Sequence, residues 1–113
     1  MKLIPKLKDG RYVFITTKDN AIPKDAAAMI KEDEGVTLVL PTDKTDGDIF
    51  AWISLVQETS LTATGITKAF SAALSDAGIA CNVLAGYYHD HMLVPYSKKN
   101  EAMEIISKVE IKD

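Results

Sequence analysis

Both histidines of the chain, its single cysteine and two of its four tyrosines fall within one stretch, Cys81 to Pro95. Residue types of this kind can bind a metal, activate a nucleophile or hold a polar ligand. His89 and His91 are two apart, so on a strand they share a face while Asp90 points to the other. A zinc centre needs at least one further ligand close by. Cys81, set in an apolar run, has the surroundings of a small buried hydrophobe instead. The histidines therefore read as structural or ligand-contacting groups, and no metal is expected. Asp90 could give a charge-assisted hydrogen bond to an ammonium, or bond its own turn backbone. Tyr87 and Tyr88 could wall a side-chain pocket or cover a subunit seam; they could equally edge the core with their hydroxyls in water. Ser54, Ser60 and Ser71 lie outside any Gly-x-Ser-x-Gly motif, and glycine-rich phosphate loops are absent. Nothing here points to an enzyme or a cofactor.

A second candidate lies upstream. Gly65 stands where a polar turn, Glu58 to Thr64, gives way to a helix. A helix N-terminus offers unpaired N–H groups and partial positive charge, which suit a carboxylate. Glycine there lets a ligand approach the backbone closely. The alternative is that Thr62 or Thr64 caps the helix and Gly65 only eases the bend.

The elements that must position these residues follow from periodicity. Ile66, Ala69, Phe70, Ala73, Leu74 and Ala77 make one face of a helix from about Gly65 to Ala77, closed by Gly78. Strands are expected over Phe50–Gln57, with Phe50, Trp52 and Val56 on one face, over Ile79–Ala85 and over Asp90–Val94. Gly86–His89 is the tight connection between the last two. Ser97 would cap a last helix, Lys98–Ser107, with Val109–Ile111 as a terminal strand or a frayed end. In the first half, Leu3–Leu7 and Tyr12–Thr17 flank Asp9-Gly10 and predict a hairpin, with Lys2, Lys6, Lys8 and Arg11 on its solvent side. Pro23 suits the start of a short helix to Asp33, with Ala26, Ala27, Met29 and Ile30 as its apolar stripe. Val36–Leu40 predicts a buried strand ended by Pro41. Asp43, Asp46 and Asp48 lack the spacing and the closing Glu of a calcium loop and read as a solvated linker.

The 113 residues are 47% hydrophobic and 26% charged, with 13 basic and 16 acidic residues and a formal net charge of -3. That is the size of one domain and the composition of a soluble globular protein. It argues against a nucleic-acid surface, which needs clustered Lys and Arg. No run approaches the length of a membrane span, and the start of the chain, broken by Pro5 and Lys6, is not a signal peptide. One cysteine fits a reducing compartment, so the cytoplasm is expected.

Strand–helix–strand–strand–helix–(strand) predicts an α+β fold, helices on one face of a mainly antiparallel sheet in the ferredoxin-like order. Residues 49–113 would form that body. Residues 1–48 would add a hairpin–helix–strand half unit, either extending it or making a truncated copy of it.

Glu58 through Ile66, with the helix that follows, resembles the first loop of an ACT domain. Gly78 to Val83 and Gly86 to Pro95 resemble its second and third strands. The whole chain is similar to small stand-alone bacterial ACT-domain proteins with an extra N-terminal half, here ending in Glu34-Gly35-Val36-Thr37-Leu38-Val39-Leu40-Pro41. The C-terminal half also resembles the ACT units of CASTOR-type arginine sensors and of aspartate kinases. The resemblance implies a non-catalytic regulatory or sensor protein that binds a small molecule, an amino acid above all, at an interface between two units. It places ligand contacts on Ser60, Leu61, Thr62, Thr64, Gly65 and Ile66 of the loop. Opposite them it places Tyr87, Tyr88, His89 and Asp90. A homodimer would cover an open sheet edge. The competing expectation is an adaptor that keeps the fold for dimerisation or docking and binds no ligand.

Overall fold

The computed structural model describes residues 1–19 and 21–112. In chain order the strands are β1 (Pro5–Leu7), β2 (Arg11–Thr17), β3 (Ala28–Glu32), β4 (Gly35–Thr42), β5 (Phe50–Leu55), β6 (Asn82–Ala85) and β7 (Asp90–Pro95). The helices are α1 (Ile66–Asp76) and α2 (Lys99–Ser107), the latter entered through a 3-10 turn at Tyr96–Lys98. Two units separate: Met1–Asp9 with the chain from Phe50 onward, and Gly10–Ile49.

In the first unit β5 pairs with β1 on one side and β7 on the other, and β7 pairs with β6, all antiparallel. Alternation along β5 puts Ala51, Ile53 and Leu55 on one face, where they join Met92 and Val94 of β7. Phe70 and Leu74 of α1 and Ala102 and Ile106 of α2 pack on the same residues. Both helices thus cover one face of an antiparallel sheet, the ferredoxin-like arrangement. The core side of β5 is Ala51, Ile53 and Leu55, while Val56, expected on the Phe50 face, lies just past the strand and is exposed. Phe50, Trp52 and Ser54 alternate onto the other side.

Helix α1 ends as its glycine requires. Gly78 has φ +74° and donates to the Ser75 carbonyl at 2.9 Å, and Ile79 then donates to Leu74 at 2.9 Å. The start of α2 differs from expectation. Ser97 lies inside the 3-10 turn, Lys98 takes the cap position, and no side chain caps the helix. The terminal strand is reduced to one antiparallel bridge, Lys2 with Glu110, flanked by Leu3 N–H to Val109 and Ile111 N–H to Met1 bonds of 3.2 and 2.8 Å.

In the second unit β4 is the central strand, with β2 on one side and β3 on the other. Two expectations fail here. The segment 23–33 is not a helix, because Ala28–Glu32 pairs residue by residue with Gly35–Val39 through a two-residue connection at Asp33-Glu34. A Thr37 hydroxyl bond to the Glu32 carboxylate crosses this pair. Nor do β1 and β2 form a hairpin. Gly10 does turn at φ +98°, but β1 joins β5 and β2 joins β4. Pro41 stays inside β4 opposite Tyr12. The β3 register ends at Val39, so the missing proline N–H removes no bond to that strand.

Candidate functional site

Thr59, Ser60 and Leu61 follow β5, and with Ile66 and Thr67 of α1 and Ala85, Gly86 and Asp90 they enclose a cavity of about 90 Å³. It lies on the helix side of the sheet, because Asp90 alternates with Met92 of the core. Asp90 is only 8% exposed and its Oδ2 accepts the Thr59 hydroxyl at 3.0 Å. Thr59 N–H in turn donates to the Tyr88 carbonyl at 3.0 Å, which ties the loop to the β6–β7 turn. The loop is also braced within itself, by Thr62 N–H to Ser60 Oγ and Ala63 N–H to Ser60 O.

The opposite wall is the start of α1. Gly65 takes the cap position with φ +88° and ψ -19°, no side chain caps the helix, and its first turn carries no acidic residue. Neither Thr62 nor Thr64 therefore serves as the cap. The first-turn amides keep their partial positive charge across a small cavity from a buried carboxylate. This pairing of signs matches the two ends of an amino-acid zwitterion. The volume suits its headgroup, holding roughly three waters, and leaves a large side chain outside.

A second concavity, of about 500 Å³, lies on the other face of the sheet, lined by Lys6, Lys8, Ser54, Val56, His89 and His91 among others. Ser54 Oγ is 2.7 Å from His91 Nδ1, and the Trp52 indole N–H reaches both, at 3.1 and 3.2 Å. An indole N–H can only donate, so Nδ1 is an acceptor, Ser54 donates to it, and the imidazole is neutral with its proton on Nε2. His89 Nδ1–H donates to the Gln57 carbonyl at 3.2 Å. Burial holds His91 below its ordinary pKa of 6.5. The charges of His89 and Lys8 act the same way, against Asp90. In the interval between that lowered value and 6.5 the unfolded chain binds a proton that the native chain does not. This contribution to stability is whole above the interval, falls as pH drops through it and changes no further below. In thermal melts between about pH 7.5 and about pH 5, His91→Gln is expected to flatten the loss seen in the parent protein. An unchanged slope would assign that titration to other groups.

Comparison with known proteins places the chain. An ACT-domain family model matches residues 47–108 and a second ACT-domain model matches residues 1–52. The chain belongs to the ACT-domain family. ACT domains are generally regulatory, ligand-binding modules rather than catalytic ones, and often dimerise. The chain is 36% identical to a Vibrio cholerae protein of unknown function, described as a possible transport protein, over 96% of this chain and 89% of that one, with a TM-score of 0.83. An Agobacterium tumefaciens protein shares the fold at 21% identity, covering 94% and 87% of the two chains, with a TM-score of 0.70. No functionally curated protein matches the chain.

Within the ACT unit the expected ligand residues divide. Ser60, Leu61, Ile66 and Asp90 line the helix-side cavity. Thr62, Thr64 and Gly65 shape its loop and the cap of α1 without lining it. His89 lines the opposite cleft. Tyr87 and Tyr88 sit at the turn tip, 76% and 61% exposed, packed on each other edge to face at 5.1 Å. Thr59, Thr67 and Gly86 line the cavity and were not expected. The polar loop before Gly65 carries a signal for Thr59, whereas Gly86 shows only once the turn closes. Cys81 is half-buried against the core, and burial pushes its thiol pKa up, away from a reactive thiolate. Among the described residues no three His, Cys, Asp or Glu side chains group as a metal site, and no helix is long and apolar enough to cross a membrane.

Proposed function

We propose that this ACT protein is a non-catalytic cytoplasmic sensor that binds an amino acid in the cavity between the Thr59–Leu61 loop, the start of α1 and Asp90. One observation carries the reading: an uncapped helix N-terminus and a buried carboxylate face each other across one small cavity. The ligand carboxylate meets the first-turn amides, its ammonium meets Asp90, and its side chain leaves through the mouth. Among the described residues strand β6 pairs only with β7 and ends its sheet. Its open edge supports a homodimer that extends the sheet, and ligand-dependent preference for one dimer arrangement would transmit the signal.

The test is a thermal-shift screen of the twenty amino acids, with sedimentation of the same samples to read the oligomer. One amino acid or a few related ones should stabilise the protein. Ligand at about a hundred times its Kd adds about 2.7 kcal/mol, a shift of several degrees for a chain of this size. Asp90→Asn should abolish that shift. The exposed Tyr87–Tyr88 pair and exposed Leu61 support the alternative, a docking adaptor without a ligand. A folded dimer that none of the twenty stabilises would favour the adaptor and sink the sensor.

A further inference from the structure

We propose that the cleft on the face of the first unit's sheet turned away from the helices is a second binding site, for a small molecule carrying a doubly charged oxyanion. The strand register builds it. Lys6 pairs with Ser54 and Ser54 pairs with His91, so three polar side chains from β1, β5 and β7 stand in one row. Side chains so paired are about 5 Å apart, within reach of one bound group. Lys8, just past the end of β1 and two residues beyond Lys6, has its Nζ 5.1 Å from the centre of the Trp52 ring. His89 lies two residues before His91 and lines the same space.

The charge distribution is the argument. In a chain of net charge -3, this cleft gathers two lysines and two imidazoles, and among the described residues no acidic side chain lines it. Walls of one sign raise the local concentration of the opposite ion. Two ammonium groups suit a group of charge -2, and charge-assisted bonds to oxyanions are among the stronger polar contacts. The Ser54–Trp52 bonds lock the His91 ring, so it keeps one N–H donor in a fixed orientation. At about 500 Å³ the cleft has the size of a small-molecule site, and Val56 offers an apolar rim for an uncharged remainder. Edge-strand lysines also block unwanted sheet pairing. That role requires neither the two imidazoles nor the serine that stands between Lys6 and His91.

A phosphate monoester and a dicarboxylate share this chemistry, and two probes separate them. Amide NMR of the isotope-labelled full chain is recorded while inorganic phosphate, or in a separate series succinate, is added at constant ionic strength. Saturable shifts are expected at residues 6–8, 54 and 89–91, and the tighter probe identifies the oxyanion. The double variant Lys6→Gln/Lys8→Gln, whose exposed side chains leave the core intact, should weaken binding by about tenfold or more. Its own spectrum reports whether it is folded. Three outcomes would overturn the site: shifts that stay linear with both probes into the tens of millimolar, shifts confined to residues 59–67, or equal affinity in the double variant. The site is independent of the amino-acid reading, because the two cavities lie on opposite faces of the sheet.

Discussion

Replacing Phe70 by Ala is expected to cost about 3–5 kcal/mol of folding free energy, a large part of the roughly 5–15 kcal/mol that holds a domain of this size together. Phe70 is wholly buried, the largest such side chain in the first unit, and lies in one cluster with Ile53, Leu55, Met92 and Ile106. Its removal deletes about 1.5–3 kcal/mol of burial and leaves a cavity that neighbours on a fixed sheet and a second helix cannot fill. Urea unfolding should show a lower midpoint with an unchanged slope. Lys68→Ala, on the exposed side of the same helix, should stay within about 0.5 kcal/mol of the parent. The effect reaches the helix-side cavity because Phe70 seats α1 and so fixes where its uncapped N-terminus opens. A loss below about 1 kcal/mol would mean that α1 does not rest on this sheet.

That helix was legible in the sequence because only one period fits Ile66, Ala69, Phe70, Ala73 and Leu74. The segment from Ala26 to Ile30 was not legible in this way. Its apolar residues also fit a helical stripe, yet pairing of Ala28–Glu32 with β4 satisfies the backbone of both segments, and tertiary context outweighed local preference. The core side of β5 was not legible for a related reason. Phe50, Ala51, Trp52 and Ile53 are apolar on both sides, so alternation could not say which side meets the helices. The candidate site divides by the same logic. Ser60, Leu61 and Ile66 are local to one loop and its helix, and Asp90 opens a strand whose alternation is plain. The Lys6–Ser54–His91 row comes from three strands joined only by register. Register depended on β1 pairing with β5, and the Asp9-Gly10 turn pointed to β2 instead.

Gly86→Ala is the substitution expected to disturb both faces of the sheet at once. A Cβ at Gly86 would stand 2.8 Å from the His89 carbonyl oxygen and 3.0 Å from His91 Nε2. The first contact is backbone, held in place by the Gly86 N–H bond to the same oxygen at 3.0 Å, so the turn must open to admit a methyl group. Overpacking of this kind costs about 1–3 kcal/mol. Gly86 lines the helix-side cavity and His91 lines the cleft behind it. Loss of the amino-acid thermal shift should therefore accompany a changed His91 ring resonance in the same variant. Gly65→Ala separates strain from crowding. A Cβ there meets nothing within 4 Å, but φ is +88°, so the cost is the roughly 1–2 kcal/mol of left-handed backbone, with His91 untouched. If Gly86→Ala moved the cavity but not the histidine, the turn would be yielding on the helix side alone, and the wall shared by the two cavities would not couple them.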